Sequence, residues 1–597
     1  MSSRARSAGA SSFAPATPDC DARSHPPQVS AQTPGWSVLA GRTDSSVTVI
    51  DVTAQGDELT RSEVPRGALP GLLAAAPAAH RWVWNDTARW YPEVLAAGVI
   101  VARCHDLRLS HAILRDSELV TTGHPVRADA RWSVAPALPD APDALFLLEP
   151  EHGLPDHPDD VLAAFARQQD AVATASAPER LRLLLAAESA GALLASELHE
   201  AGLPWHAATH EQILVDELGR RPASGGLPTH LQDLADAVRA ELGDPKVSLD
   251  SQPKLLRALH GAGVPARSTS RWELAEYDHP VIAPLLAYKK GMRLLSANGW
   301  EWLGEWAPDG RFRPVYVPGG VVTGRWASSG GGALQLPRLL RPAVRADPGW
   351  ALVVADVAQL EPRVLAAMSR DAALADAARG TDLYEGIVAS GVVSTRQEAK
   401  IALLGAMYGA TTGDSGRLVP ALRRAYPRAM GLVDDAARRG EDGGVVSTWL
   451  GRSSPPPSEA WRDIQSQAGA IDAVEGADGL ARRVARDRGR FTRNFVVQGT
   501  AAEWALAWLA DLRARLATLP LVDEGQAAPP SGPIFSRRAH LAFFLHDEII
   551  VHAPVAHADA AAAAVEESAR LATRLLFGDF PLDFRLDLRT AADAAKA

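Results

Sequence analysis

Three carboxylates interrupt or end two strongly apolar runs. Residues 351–356 read ALVVAD and end at Asp356, while residues 543–552 read FFLHDEIIVH and contain Asp547 and Glu548. Two carboxylates about 4 Å apart repel by roughly 4 kcal/mol at an intermediate dielectric, so a buried pair needs a divalent cation. Two Mg²⁺ ions held by two aspartates suit an in-line phosphoryl transfer. Taken alone, each site is better explained by a polar turn or by a strand-terminal or helix-capping aspartate.

A second stretch could bind phosphates and a base. Residues 394–413 read STRQEAKIALLGAMYGATTG. On a helix, a four-residue recurrence places the following side chains on one face: Arg396, Lys400, Leu404 and Tyr408. Arg and Lys can grip phosphates, and a Tyr can stack on a base, with Gly409 permitting close approach. The spacing is also typical of an ordinary amphipathic helix with basic ends.

The elements that must position these residues follow from the apolar patterning. Residues 36–140 mix short strand-like runs with a helical stretch, as in a small α/β domain. Residues 159–298 are mostly helical by their apolar spacing. Between the strand-like runs at 351–356 and 541–553 lies a mainly helical block, broken by a Gly/Pro/Ser-rich patch at 443–461.

Composition excludes little about function. The 597 residues suffice for several domains, and Cys20 and Cys104 are too few for a disulfide framework or a cysteine-built zinc site. No apolar run has the length of a membrane span, and residues 1–34 are expected to form a disordered tail. A cytoplasmic protein with no membrane association is therefore expected.

The charge of the chain is compatible with a nucleic-acid partner. The net charge is −10, but phosphate binding needs only a basic stripe. Residues 481–493, ARRVARDRGRFTR, carry six arginines and one aspartate, and we interpret them as a candidate template-binding stripe. The alternative is a solvated helix face.

Five blocks of the sequence resemble family A DNA polymerases, the group of bacterial DNA polymerase I. VVADVAQLEPR, RQEAKIALLGAMYG and HDE resemble the family's motifs A, B and C. TGRWASSGGGALQLP (323–337) and RGRFTRNFVVQGTAAE (488–503) resemble two further blocks. The blocks follow the family order, and the resemblance covers roughly residues 180–597.

The resemblance implies an α+β right-hand fold, preceded by a ribonuclease H-like α/β domain similar to a 3′–5′ exonuclease. No 5′ nuclease domain is expected before it. The implied organisation is an exonuclease-like domain at 35–178, a thumb with connecting helices at 179–320, palm segments at 321–372 and 491–597, and fingers at 373–490.

The resemblance also implies an activity and its site. The expected protein is a monomeric, nucleoid-associated DNA polymerase that adds dNTPs to a primer on a DNA template, in repair or replication. Two Mg²⁺ ions, or Mn²⁺ as a substitute, would be held by Asp356 and Asp547 with support from Glu548, and Lys400 would protonate the leaving pyrophosphate. The implied nucleotide-binding residues are Arg396, Lys400, Leu404, Tyr408, Glu361, Gln359 and His546. The implied DNA-binding residues are Arg325, Arg490, Asn494 and Gln498, with His546 close to them.

The sequence departs from the family pattern in both halves. Leu404 replaces the usual aromatic of motif B, and Val357-Ala358 replaces the usual Tyr-Ser of motif A. The first strand of the amino-terminal domain lacks the Asp-x-Glu that a proofreading site requires. Asp86 and Asp170 fall where the later acids would lie, so a degenerate exonuclease site is expected.

Three other functions fit parts of the pattern. A single-subunit phage-type RNA polymerase shares the architecture but lacks the residue corresponding to Glu361 and the HDE form of motif C. A non-catalytic DNA-binding relative would be expected to have lost Asp356 or Asp547, and both are present. A nuclease working through the amino-terminal domain, alone or in a bifunctional polymerase and 3′–5′ exonuclease, would need the carboxylates that the first strand lacks.

Overall fold

The computed structural model describes residues 35–133, 153–223, 225–380, 382–409, 413–468 and 476–595. The tail expected at 1–34 lies outside the described residues. Within the described part of the chain, no helix combines the length and apolarity needed to cross a membrane.

The amino-terminal domain is built on a five-stranded sheet with the order β3-β2-β1-β4-β5. The first three strands are antiparallel, and β1, β4 and β5 are parallel. Apolar side chains on both faces of the sheet are covered by helices. The strands are β1 (Trp36–Ala40), β2 (Ser46–Val52), β3 (Glu58–Pro65), β4 (Arg81–Trp84) and β5 (Cys104–Asp106). The helices are α1 (Leu69–Ala75), α2 (Thr87–Ala96), α3 (Leu107–Asp116) and α4 (Pro158–Ala173).

A mostly helical region follows. Its first helix, α5 (Pro178–Ala201), begins with proline at the first helical position and packs with a largely buried surface against the amino-terminal domain and the carboxyl-terminal half. The other helices are α6 (Ala207–Leu218), α7 (Thr229–Leu242), α8 (Gln252–Gly261), α9 (Arg271–Leu274), α10 (Ile282–Asn298) and α11 (Trp300–Trp306). Two small ladders comprise β6 (Leu203–Pro204) with β7 (Arg311–Phe312) and β8 (Tyr316–Val317) with β9 (Ala327–Ser328).

The block between the two candidate metal-binding runs is helical, as predicted. Its helices are α12 (Leu360–Ser369), α13 (Ala372–Ala377), α14 (Leu383–Ala389), α15 (Arg396–Tyr408), α16 (Gly413–Ala425), α17 (Pro427–Glu441), α18 (Glu459–Ala468) and α19 (Ala477–Ala517). The Gly/Pro/Ser-rich patch forms a compact, largely buried loop between α17 and α18. The Ser117 hydroxyl of the amino-terminal domain donates to the Gly451 carbonyl of this loop, and the Glu118 N–H donates to the Ser453 hydroxyl, so the loop packs against that domain.

An antiparallel sheet of four strands unites the two segments expected to form the palm. Its order is β11-β12-β10-β13. The strands are β10 (Trp350–Val357), β11 (His540–Leu545), β12 (Glu548–Pro554) and β13 (Leu586–Ala591), with α20 (Gly532–Phe535) and α21 (Ala558–Phe577) completing the region. Two of the expected domain boundaries fall inside continuous structure. The boundary at 320/321 separates the paired strands β8 and β9, and the boundary at 490/491 lies within helix α19.

Candidate active site

The HDE tripeptide forms the turn and the first strand residue of a tight hairpin. Leu545 pairs with Glu548, so His546 and Asp547 alone connect β11 to β12. His546 has a φ of 57°, the left-handed conformation that lets the chain reverse. The predicted hairpin is therefore correct, with Glu548 already inside the strand.

The same hairpin brings the two candidate metal ligands together. Strand β10 runs antiparallel to β12, with Asp356 opposite Glu548. One position further on, the Val357 N–H donates to the Asp547 carbonyl at 2.9 Å. Asp356 and Asp547 are thus at neighbouring positions of one sheet end, and both side chains are partly exposed.

This donor set fits a divalent cation. Carboxylate oxygens are the ligands that Mg²⁺ prefers, and Mg²⁺ is commonly held by one or two carboxylates together with substrate phosphates. In the described ranges, no three His, Cys, Asp or Glu side chains cluster closely enough to hold a metal by themselves. The two aspartates therefore fit a cation whose remaining ligands come from water or a bound phosphate.

Glu548 is engaged by an arginine that the sequence reasoning missed. Arg341 donates from Nη1 to Oε1 at 2.5 Å and from Nη2 to Oε2 at 2.8 Å, and both side chains are buried. The guanidinium also lies over the Phe543 ring at 5.3 Å. Glu548 thus ties the start of β12 to the 3₁₀ helix Arg338–Ala343, and any support that it gives to the aspartates involves this ion pair.

The turn after Asp356 is also held from within. Gln359 has a φ of 51°, and the fully buried Arg363 donates to the Ala358 carbonyl at 2.8 Å and to the Asp583 carbonyl at 2.7 Å. Gln359 Oε1 accepts a hydrogen bond from the Leu383 N–H at 3.3 Å. The predicted nucleotide contact Gln359 therefore links this turn to the start of α14.

A cavity of about 240 Å³ opens beside the hairpin. Glu361 lies in it and accepts hydrogen bonds from the Arg325 guanidinium on Oε1 and from the Tyr408 hydroxyl on Oε2. His546 and Asp547 also line the cavity. The structure thus gathers six of the predicted site residues, Gln359 included, from four separate segments, together with the apolar side chains of Trp326 and Phe544.

Burial sets the protonation of these groups. Desolvation raises the pKa of Tyr408, so its phenol stays protonated and donates to Glu361. Desolvation lowers the pKa of Arg325, although Tyr408 and Asp547 oppose the change, and the guanidinium remains charged. Desolvation and the nearby Arg325 lower the pKa of His546, so its ring is neutral near pH 7.

Helix α15 carries the predicted phosphate-binding face. Thr395 and Glu398 form a reciprocal capping box at its start, and Gly409 ends it with a φ of 73°. Arg396 and Lys400 are exposed and Leu404 is half-buried, but only Tyr408 of the four face residues lines the cavity. The helix is therefore as predicted, while its basic residues do not line this cavity.

Helix α19 carries three of the predicted DNA-binding residues, Arg490, Asn494 and Gln498. Arg490 is exposed and paired with Asp487, and the Gln498 side chain near the Tyr408 hydroxyl opposes the rise of the Tyr408 pKa. Asn494 Oδ1 is buried with no hydrogen-bond partner among the described residues. Arg493, which the sequence reasoning did not single out, donates to the Ala406 carbonyl at 2.6 Å and so fixes the end of α15.

The candidate exonuclease acids Asp86 and Asp170 do not meet. Asp86 follows β4 at the carboxyl end of the parallel strands and is buried against Arg108 at 2.9 Å. Desolvation and Asp106 raise its pKa to about 6. Asp170 lies on α4, is exposed, bonds to His124 at 3.0 Å, and lines a different cavity that contains the amino ends of β1, β4 and β5. The expectation that both belong to one site is therefore corrected.

The carboxyl edge of these parallel strands, where α/β sheets usually bind ligands, carries arginines. Asp156 accepts hydrogen bonds from the Arg42 N–H at 3.2 Å and from Asn85 at 3.1 Å, and its carboxylate lies 3.5 Å from Arg89. This paired carboxylate, surrounded by cationic side chains, is a poor site for a divalent cation.

The two aspartates beside a cavity with a guanidinium and a phenol have the composition of a metal-dependent phosphoryl-transfer site. The sequence model of DNA polymerase family A matches residues 227–590, more than half of the chain. The chain belongs to this family, whose members use divalent metal ions.

Individual relatives agree. DNA polymerase I of Chloroflexus aurantiacus is 26% identical over 391 residues, covering 58% of this chain and 37% of that protein. The thermostable DNA polymerase I of Thermus thermophilus is 26% identical over 441 residues, covering 65% of this chain and 48% of that protein. The chain thus matches less than half of the length of each of these relatives.

A solved structure has the same fold. The POL domain of Pol1 from M. smegmatis, in complex with DNA primer-template and dNTP, is similar over 94% of this chain and 96% of that chain. The TM-score is 0.61 and the sequence identity is 17%. The predicted α+β right-hand polymerase fold is confirmed.

Proposed function

We propose that this chain is a DNA-directed DNA polymerase that adds dNTPs to a primer 3′ end on a DNA template. The observation that carries the proposal is the pairing of Asp356 and Asp547 at one sheet end, beside a cavity that contains Glu361, in a chain of family A. The similarity to a polymerase domain in complex with DNA primer-template and dNTP supports the choice of partners.

Asp356 and Asp547 would hold two Mg²⁺ ions, for which Mn²⁺ could substitute. When bound, these ions supply a Lewis acid for the attacking 3′-hydroxyl and neutralise charge on the leaving pyrophosphate. Arg396 and Lys400 would bind the triphosphate, and Lys400 would donate a proton to the pyrophosphate. Glu361, fixed by Arg325 and Tyr408, would fill the space that a ribose 2′-hydroxyl needs.

Primer–template DNA would contact the side chains around the mouth of this cavity. Tyr408 would pack by the templating position, and a minor-groove contact there can test base-pair shape. The proposed DNA contacts are Arg325, Arg490, Asn494, Gln498 and His546. The palm, fingers and thumb would follow the expected segments, except at the two boundaries that fall within the β8–β9 ladder and α19. The polymerase would act as a monomer at the bacterial nucleoid, in repair or replication.

The amino-terminal domain is proposed to be exonuclease-like in fold and degenerate in its site. Its sheet order and mixed strand directions support the first part. The ion pairs of Asp86 with Arg108 and of Asp156 with Arg89 support the second, because these carboxylates already have cationic partners.

Primer extension on a recessed DNA template tests the proposal. Wild type, Asp547→Asn and the exposed control Asp579→Asn would be compared with Mg²⁺ and dNTPs, rNTPs or no nucleotide. Extension with dNTPs that Asp547→Asn abolishes and Asp579→Asn preserves is the expected result. Absence of extension by wild type, with DNA still bound, would make the chain a non-catalytic DNA-binding relative. Primer shortening without nucleotides would instead support a bifunctional polymerase and 3′–5′ exonuclease.

A further inference from the structure

The first arginine of α15 is held by a carboxylate. Arg396 donates from Nε at 2.9 Å and from Nη2 at 2.6 Å, both to Oδ2 of Asp382. Its guanidinium carbon lies 5.5 Å from the centre of the Tyr384 ring, within range of a cation–π contact. Asp382 thus holds one edge of the Arg396 guanidinium, and the Tyr384 ring lies close to the same group. The Arg396 side chain is otherwise about half exposed.

Asp382 is itself fixed through its other oxygen. Oδ1 accepts the Tyr384 N–H at 2.8 Å and the Glu385 N–H at 3.3 Å, and so caps α14. The adjoining Leu383 N–H donates to Gln359, in the turn that follows the metal-binding strand. The start of α14 is therefore a rigid link between that turn and the guanidinium of Arg396.

The hydrogen bonds to Asp382 use only part of the guanidinium. Arginine has five N–H donors in one plane, and this contact takes one from Nε and one from Nη2. The Nη1 donors and the second Nη2 donor form the opposite edge of the plane. Such an edge matches two oxygens of a phosphate, provided that the plane is correctly oriented.

We propose that Asp382 is a positioning residue that orients Arg396 for the triphosphate of the incoming nucleotide, with Tyr384 restricting the guanidinium plane. This inference rests on the proposed polymerase function. An ion pair with this exposure contributes little to folding stability. Its effect is therefore expected in nucleotide affinity, where fixing a mobile side chain beforehand reduces the entropy lost on binding.

The variant Asp382→Asn distinguishes the capping role of one carboxylate oxygen from the contact of the other with Arg396. Asparagine is an equally good helix cap through its Oδ1, but its amide nitrogen replaces the acceptor that binds Arg396. The matched control is Asp435→Asn, which removes an exposed aspartate–arginine pair with Arg438 on α17. Both variants change the net charge by the same amount.

The readout is the dissociation constant of the correct dNTP from a complex with primer–template DNA whose primer ends in a dideoxynucleotide. Because no incorporation occurs, the measurement is independent of catalysis. Asp382→Asn is expected to weaken dNTP binding about tenfold, as for a lost charge-assisted hydrogen bond. DNA affinity and the unfolding midpoint should be unchanged, Asp382→Glu should be intermediate, and Asp435→Asn should match wild type.

Three results would overturn the proposal. Unchanged dNTP affinity in Asp382→Asn would mean that the Asp382–Arg396 pair has no part in nucleotide binding. Tighter binding would mean that Asp382 competes with the triphosphate for Arg396. Full additivity of Asp382→Asn with Arg396→Ala would mean that Asp382 does not act through Arg396. A wild type that binds dNTP but fails to incorporate it would refute the polymerase function alone, whereas one that binds no dNTP would refute both.

Discussion

Arg341 and Glu548 form a buried bidentate ion pair, with Nη1–Oε1 and Nη2–Oε2 separations of 2.5 and 2.8 Å. Only 3% and 5% of the two side chains are exposed. Glu548 directly follows the metal-binding candidate Asp547, so the pair fixes the strand from which the hairpin turns. A carboxylate in the HDE tripeptide thus has a structural partner inside the protein.

Removing Arg341 should be costly because it leaves the Glu548 charge buried. We expect Arg341→Met to lower the free energy of unfolding by about 3–5 kcal/mol. Urea denaturation measures this, with Arg379→Met as control, since Arg379 forms an exposed pair with Asp376 and should change stability by under about 0.5 kcal/mol. Equal stability of the two variants would show that the pair does not hold the hairpin.

Glu361 should control sugar selection. Replacement by alanine frees the space beside the nucleotide sugar, and we expect the ratio of rNTP to dNTP incorporation to rise about 10- to 100-fold. Single-nucleotide insertion kinetics with matched rNTP and dNTP measure the ratio. Tyr408→Phe keeps the ring but removes the hydroxyl that bonds Glu361, so a smaller rise is expected. An unchanged ratio in Glu361→Ala would exclude its role as a gate.

The arginines of 481–493 should divide into two groups. Arg488 donates to the carbonyls of Gly444 and Pro455, and Arg493 to that of Ala406, so their replacement should reduce stability. The exposed members should contact DNA instead. Neutralising them should lower the slope of log affinity against log salt by about 0.7–0.9 for each lost phosphate contact. This exposed group is Arg482, Arg483, Arg486 and Arg490.

Fluorescence anisotropy with a primer–template at several salt concentrations gives this slope. The control replaces two exposed arginines of α21, Arg570 and Arg574, and should leave the slope as in wild type. If the fourfold variant also retains the wild-type slope, the exposed arginines are a solvated helix face.

Glu503 should make stability depend on pH. Its carboxyl is buried and accepts hydrogen bonds from Thr448 and the Leu450 N–H, and desolvation raises its pKa to about 7 from 4.5. The folded protein therefore holds this proton more tightly than the unfolded chain does. Stability from this group is complete below pH 4.5 and falls by about 3 kcal/mol as the pH rises to 7.

Glu503→Gln removes the titration while preserving hydrogen bonding, because the Thr448 hydroxyl can accept from the new amide. The difference in unfolding free energy between Glu503→Gln and wild type should grow in favour of the variant from pH 5 to pH 7. Urea titrations at each pH measure it, with the exposed Glu566→Gln as control. A difference independent of pH would mean that Glu503 is already ionised when folded.

The sequence by itself determined the local elements of the site. The apolar runs around Asp356 and Asp547 predicted a strand end and a hairpin, because side-chain alternation and a break in it are local properties. The four-residue recurrence from Arg396 to Tyr408 predicted one helix, and the helix has those bounds. Five ordered motifs were enough to indicate the family, since each of them lies within a short segment.

Only the tertiary structure decided which charges meet. Arg341 lies 207 positions from Glu548, and Arg325 and Tyr408 approach Glu361 from different segments. No periodicity in the sequence predicts such pairs, because they depend on how strands and helices pack. The same holds for the separation of Asp86 from Asp170, which the sequence placed in one site and the sheet places at opposite ends. Patterns along the chain thus indicated which residues belong to the site, and tertiary packing determined which partners they contact.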